Sequence, residues 1–97
     1  MITIKKTQDF DDWFVELNTK EQSQVLARLD RIKAYEHFGD AKNLGNGLCE
    51  LRWKNGWRVY FIAGKTDTII LLMGGHKNEQ EKNIKKARLH ISRYTSH

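Results

Sequence analysis

Two strands around a turn are written into "ELRWKNGWRVYF", residues 50–61. Glu50, Arg52, Lys54, Arg58 and Tyr60 are threaded through its apolar residues, so the pairing register decides what each face of the sheet carries. A two-residue Asn55-Gly56 loop sets Lys54 against Trp57 and Trp53 against Arg58, which mixes charge and apolar bulk on both faces. A three-residue Lys54-Asn55-Gly56 loop, a type I turn followed by glycine in the left-handed region, sets Trp53 against Trp57 and Arg52 against Arg58. Cys49, Leu51, Trp53, Trp57, Val59 and Phe61 then share one face, and Glu50, Arg52, Arg58 and Tyr60 the other. Burying Arg58 among Leu51 and Trp53 without a partner costs on the order of several kcal/mol, comparable to the whole stability of a small domain. We therefore expect the three-residue loop and a compact cationic patch facing solvent on a rigid sheet.

The rest of the chain supplies the layers around this hairpin. Residues 2–6 read as a short strand. Thr7 caps a helix whose Phe10, Trp13, Phe14 and Leu17 form one apolar stripe. Thr19 with Gln22 reads as a capping box for a second helix bearing Val25, Leu26, Leu29, Ile32 and Tyr35, stopped by Gly39. "GDAKNLGNG" reads as loop. Strands follow at 48–53, 57–63 and 67–73, the last unbroken in its apolar character, as expected of a central strand covered on both sides. Asn78 with Glu81 caps a final helix in which Ile84, Ala87, Arg88 and Ile91 share a side. The expected fold is α+β, ordered β-α-α-β-β-β-α: a helical hairpin on a small, mainly antiparallel sheet, with a C-terminal helix.

Ninety-seven residues make one domain, 1–97, with a modest core rather than a deep cleft. The formal charge of +5 is uneven. Residues 1–49 hold seven Lys/Arg against eight Asp/Glu, and residues 50–97 hold ten against four. A second half that basic attracts a polyanion, RNA or DNA first, and no apolar run approaches a membrane-spanning length. The lone Cys49 excludes an internal disulfide and suits a reducing cytoplasm, and the N-terminus lacks the apolar stretch of a signal peptide.

Two arginines, a lysine, a carboxylate, a histidine and a tyrosine fit metal-free phosphoryl chemistry on RNA, with no cofactor. There a ribose 2′-hydroxyl attacks its own phosphate with help from a base, cations and an acid. Arg58 is the first choice for stabilising charge, since guanidinium can hold two phosphate oxygens, and Lys77 is the second. Glu50 and His76 are both candidates for base or acid. Arg52 completes the expected catalytic set. Lys54, Tyr60 and the helical Lys82, Lys85 and Lys86 are expected to hold substrate by charge or stacking. The glycines of "GGHK" are expected to let the backbone approach a ligand. His37, His90 and His97 show no metal-ligand spacing.

"RLDRIKAYEHFGDAKNLGNGLCELRWKNGWRVYF" followed by "LLMGGHKNEQEKNIKKA" resembles the HigB-like, phage-derived Gp49-type branch of the RelE/ParE toxin superfamily, from about Phe10 to Ala87. The resemblance implies the same fold and the toxin of a type II toxin–antitoxin pair, whose relatives cleave mRNA in the ribosome. It also implies a cognate antitoxin, often of the helix-turn-helix kind, and operator DNA reached only through that antitoxin. By position, Arg58 matches the superfamily's arginine after the hairpin turn and Lys77 its basic residue after the last strand. Glu50 and Arg52 fall where relatives place acid–base or phosphate-contacting groups. The chain departs from the branch in its short "KNGW" turn and in His76, where an acid is common. ParE-type members share the fold but inhibit DNA gyrase without being nucleases, so a gyrase inhibitor is the alternative function.

Overall fold

A computed structural model describes residues 1–95, and the element counts refer to those residues; His97 lies outside them. The chain runs β1 (Thr3–Lys6), α1 (Gln8–Val15), α2 (Thr19–Tyr35), β2 (Ala41–Gly45), β3 (Leu48–Arg52), β4 (Trp57–Ala63), β5 (Thr68–His76), a 3-10 turn at Lys77–Glu79 and α3 (Gln80–Thr95). The five strands form one sheet in the order β1-β5-β4-β3-β2. β1 lies parallel to β5, and every other pair is antiparallel.

The expected hairpin register is the one observed. Arg52 faces Arg58 and Leu51 faces Val59. The Gly56 amide donates to the Trp53 carbonyl at 3.0 Å, and Gly56 takes a φ of +100°. A β-carbon is disfavoured at that angle, and glycine has none.

One face of the sheet packs on α1 and α2. Phe10, Val25, Leu29, Ile32, Leu51, Val59, Phe61 and Leu71 are buried there, with Trp13, Phe14, Trp53 and Trp57 packed against them. Alternation sends the intervening residues to the other face. There Leu48, Tyr60, Ile62 and Met73 pack on Ala87, with Ile84 and Ile91 of α3 beside them. β5 is thus covered on both sides, as its unbroken apolar run requires.

Five local features differ from expectation. "AKNLG" is an edge strand rather than loop, joined to β3 through Asn46 (φ 51°) and Gly47 (φ 85°). Two successive positive φ values are the signature of a type I′ hairpin, which Asn-Gly favours. α2 is capped by Asn18, not Thr19: Asn18 accepts from the Glu21 amide at 2.8 Å, and Glu21 accepts in return from the Asn18 amide at 3.0 Å. Gln22 donates instead to the Phe14 carbonyl, joining the two helices. The helix ends at Glu36, which adopts the left-handed conformation three residues before Gly39. Its buried stripe is also narrower than expected, because Leu26 and Tyr35 point to solvent. Finally, His76 rather than Asn78 caps the turn into α3, with Nδ1 accepting from the Asn78 amide at 3.4 Å.

α3 is fastened at several points along its length. Arg88 donates to the carbonyls of Leu44 (3.0 Å) and Gly45 (3.3 Å). His90 Nε2 lies 2.7 Å from Asp9 Oδ2, which Lys86 also approaches at 3.9 Å. No described helix is long and apolar enough to cross a membrane.

Candidate functional site

The polar face of the hairpin does not open to solvent. α3 crosses it, so Glu50 and Tyr60 are fully buried and Arg58 is 8% exposed. Strand alternation determines which residues share that face, but a helix arriving from thirty residues away determines what covers it. Arg58 escapes the predicted penalty because its Nη1 donates to the Trp53 and Trp57 carbonyls at 3.1 and 2.9 Å.

Glu50 is the centre of the cluster. Its Oε2 accepts from Gln80 Nε2 of α3 at 2.7 Å, and its Oε1 lies 3.7 Å from Arg52 Nε. The Arg52 side chain is 39% exposed and connects the cluster to the surface. The Tyr60 hydroxyl lies near the carboxylate without completing a hydrogen bond. Burial first, then the charge of Glu50, pushes the Tyr60 phenol above its ordinary range, with Arg58 pulling the other way. Among the described residues, Glu50 Oε1, Arg52 Nε, Arg58 Nε, Tyr60 OH and Asn83 Nδ2 are buried polar atoms without a hydrogen-bond partner. Native interiors leave few such atoms. Four of these atoms belong to β3 and β4 and the fifth to α3, and Glu50 Oε1 and Arg52 Nε face each other as an ion pair.

Gln80 and Asn83 were missed from sequence. The available signal was their spacing: Gln80, Asn83, Ala87 and His90 fall at i, i+3, i+7 and i+10, one face of a helix. Three of these four are buried. The two glycines of "GGHK" serve the helices rather than a ligand. A β-carbon at Gly74 would overlap the Trp13 indole, and one at Gly75 would overlap the Asn83 amide.

The other expected residues fall elsewhere. His76 shares the opposite face with Trp57, their rings meeting edge-on at 5.2 Å. Trp57 Nε1 in turn donates to Glu21 at 2.9 Å. Lys77 is exposed in the 3-10 turn, with its amide donating to the Gly56 carbonyl at 2.7 Å. Lys82 and Lys85 are exposed on α3. Lys54 lies at the hairpin tip, facing Arg28 and Arg31 of α2 across a groove. The Arg28 guanidinium stacks on Trp53, 4.4 Å from the ring centroid. Burial draws its pKa down, Asp40 opposing and Arg31 adding to the effect.

The phenol makes a testable statement about stability. An unfolded Tyr60 releases its proton near pH 10, whereas the folded group holds it to higher pH. Between those values the unfolded state binds fewer protons, so stability is complete below about pH 10 and falls as pH rises, by up to about 1.4 kcal/mol per unit. Urea titrations between pH 9 and 11.5 on the wild type and Tyr60→Phe measure this. An identical fall in both chains would remove Tyr60 as the cause.

This α+β architecture, three helices with a five-stranded sheet, is the fold of RelE-type toxins. The isolated E. coli RelE toxin superposes with a TM-score of 0.67 at 10% identity, covering 89% of this chain and 98% of that one. The RelB–RelE antitoxin–toxin complex from Methanococcus jannaschii gives 0.67 at 12% identity, covering 81% and 96%. The intact E. coli RelBE toxin–antitoxin complex gives 0.67 at 10%, covering 78% and 96%. Residues 12–95 match the phage-derived Gp49-like protein family, and the chain belongs to it. An uncharacterized protein of Haemophilus influenzae is 40% identical over 91 residues, which are 91% of each chain.

Proposed function

We propose that the chain is the toxin of a type II toxin–antitoxin pair and acts in the cytoplasm as a ribosome-dependent endoribonuclease that cleaves mRNA with its own side chains. Membership of the Gp49-like family and the RelE fold support the toxin half of this reading. The observation that carries the nuclease half is the cluster itself: two guanidiniums, a carboxylate and a phenol on one rigid sheet face, with unpartnered polar atoms among them.

In this reading the ribose 2′-hydroxyl loses its proton and attacks the adjacent phosphorus, the bond from phosphorus to the 5′-oxygen breaks, and that oxygen takes up a proton, leaving a 2′,3′-cyclic phosphate and a free 5′-hydroxyl. Arg52 approaches from the exposed edge and Arg58 supplies fixed positive charge behind it as negative charge accumulates, while Lys77, in the exposed 3-10 turn, adds charge from outside the cluster. Glu50 is fully buried beneath α3 and orients Arg52 rather than touching the ribose, and His76 lies on the opposite face of the sheet. Tyr60 is fully buried and stays protonated behind the site, so it neither acts as a base nor stacks on a nucleobase. The partners are a cognate antitoxin, expected to be of the helix-turn-helix class and to carry the pair to operator DNA, and the translating ribosome with its mRNA.

The second reading, inhibition of DNA gyrase, draws on the burial of Glu50, Tyr60 and Arg58, which a purely structural cluster would also show. Mapping mRNA ends in a translating extract separates the two. Cuts within codons that require ribosomes support the nuclease, whereas intact mRNA with inhibited supercoiling supports the alternative. Arg58→Ala is expected to lower cleavage by about 100-fold or more, with Arg58→Lys retaining part of it. A folded Arg58→Ala chain that cleaves at the wild-type rate removes Arg58 from the site.

A further inference from the structure

At the tip of the β3–β4 hairpin an open groove of about 480 Å³ separates the turn from α2. Arg28, Arg31 and Lys54 line it together with Gln24, Trp53 and Asn55, and no carboxylate is among its lining residues. The walls are tied together, since Asn55 Nδ2 donates to Gln24 Oε1 at 3.1 Å across the opening.

Arg28 is built into this wall. Its Nη2 donates to the Arg52 carbonyl at 2.8 Å, and its Nη1 to the carbonyls of Phe38 and Asp40 at 3.3 and 3.4 Å. These acceptors are neutral, and among the described residues no carboxylate comes within 4.0 Å of the guanidinium. Asp40 acts on it only at longer range. A chain that fixes a cation with neutral carbonyls and a tryptophan face keeps its charge free to act outward. One helical turn on, Arg31 is exposed, as is Lys54 opposite. Both can move to meet a ligand.

The groove and the cluster lie on opposite sides of the hairpin, with Arg52 between them. Arg52 accepts from Arg28 through its carbonyl and directs its guanidinium towards Glu50. A strand of phosphates passing over the tip would meet Arg31 and Lys54 first, then Arg52.

We propose that this groove holds the phosphodiester backbone of single-stranded RNA beside the reacting phosphate, with Arg31 and Lys54 contacting phosphates and Arg28 supplying fixed charge. This deepens the nuclease reading and rests on it for the identity of the polyanion. Charge alone would also admit an acidic peptide, but phosphates spaced along a flexible backbone fit an open trough whose wall is tied through Arg52 to the cluster.

The test is fluorescence anisotropy with a fluorescein-labelled ten-nucleotide 2′-O-methyl RNA, which cannot be cut by its own 2′-hydroxyl, titrated at several KCl concentrations. Arg31→Gln/Lys54→Gln is expected to weaken binding about tenfold or more near 0.1 M salt. Losing two phosphate contacts should also reduce the slope of log K against log salt by about 1.4, at roughly 0.7 per contact on a single strand. Lys5→Gln/Lys33→Gln removes the same charge away from the groove and is expected to leave the slope unchanged. Melting curves confirm that both variants fold.

Unchanged affinity in the groove variant overturns the proposal. So does equal loss in both double variants, or displacement of the RNA by a ten-residue glutamate peptide as readily as by unlabelled RNA. Cleavage in extract is scored separately on the wild type. Intact mRNA there with groove-dependent RNA binding would overturn the nuclease reading and leave the groove standing, and the reverse combination would do the opposite.

Discussion

Glu50→Ala is expected to lower the unfolding free energy by about 3 kcal/mol or more, out of the 5–15 kcal/mol typical of a domain. The side chain is fully buried, holds Gln80 at 2.7 Å and offsets Arg52 at 3.7 Å. Removing it leaves the Gln80 amide unpaired and the Arg52 guanidinium without its countercharge, and it opens a cavity beneath α3. Arg52 recovers part of its loss from water because it is 39% exposed, so the larger share falls on the buried groups. Glu50→Gln keeps the volume and an acceptor for Gln80 and is expected to cost less. Glu50→Met fills the volume but still leaves the Gln80 amide and Arg52 unpaired, so it is expected to recover only the cavity part of the Glu50→Ala loss. Urea denaturation reads all three as shifts in midpoint at constant slope. A loss under about 1 kcal/mol in Glu50→Ala would show that the carboxylate does not organise the cluster.

Gly74→Ala is expected to cost about 1–3 kcal/mol by overpacking and to lower the melting temperature by about 4–8 °C for each kcal/mol. The added methyl would enter the volume of the Trp13 indole, a rigid ring held between Phe10 at 5.6 Å and Trp57 at 6.0 Å between centroids. Backbone strain is not the cause, since Gly74 is absent from the positive-φ glycines. That separates two explanations of the same loss. If the clash is responsible, Trp13→Ala/Gly74→Ala is less unstable than the sum of its single changes, because the methyl then enters vacated space. Additive losses would mean that the alanine acts through something other than Trp13. Gly75→Ala is the control on the other face, where the Asn83 amide, a polar side chain rather than an indole, is displaced.

How far the site was legible follows from what each residue needs nearby. The two Asn-Gly pairs make the point. Asn55-Gly56 was read correctly because a wrong register would have set Arg58 among aromatic rings, and the cost of that decided the loop. Asn46-Gly47 carries the same turn chemistry, yet "AKNLG" has little apolar alternation and lies at the sheet edge, where one side of the strand has no partner to demand a pattern. Its signal was the turn alone. Likewise, Asn18 and Thr19 offer adjacent capping boxes, and the one observed is the one whose glutamate can reach back; Gln22 is occupied at Phe14.

The sequence by itself determined the pairing of β3 with β4, the separation of Trp53 and Trp57 from Arg52 and Arg58, and the apolar stripes of α1 and α3. Each of these follows from side chains a few positions apart on one periodic element, where exposing or burying the wrong face is costly. Only the tertiary structure decided that α3 closes the polar face, that Gln80 and Asn83 complete it, that Gly74 and Gly75 make room for two helices, and that His76 turns away from Arg58. Those outcomes depend on volume and hydrogen-bond matching between segments far apart in the chain. Local spacing puts Gln80 and Asn83 on one side of α3, but it does not say which surface they meet, because neither segment carries the other's shape.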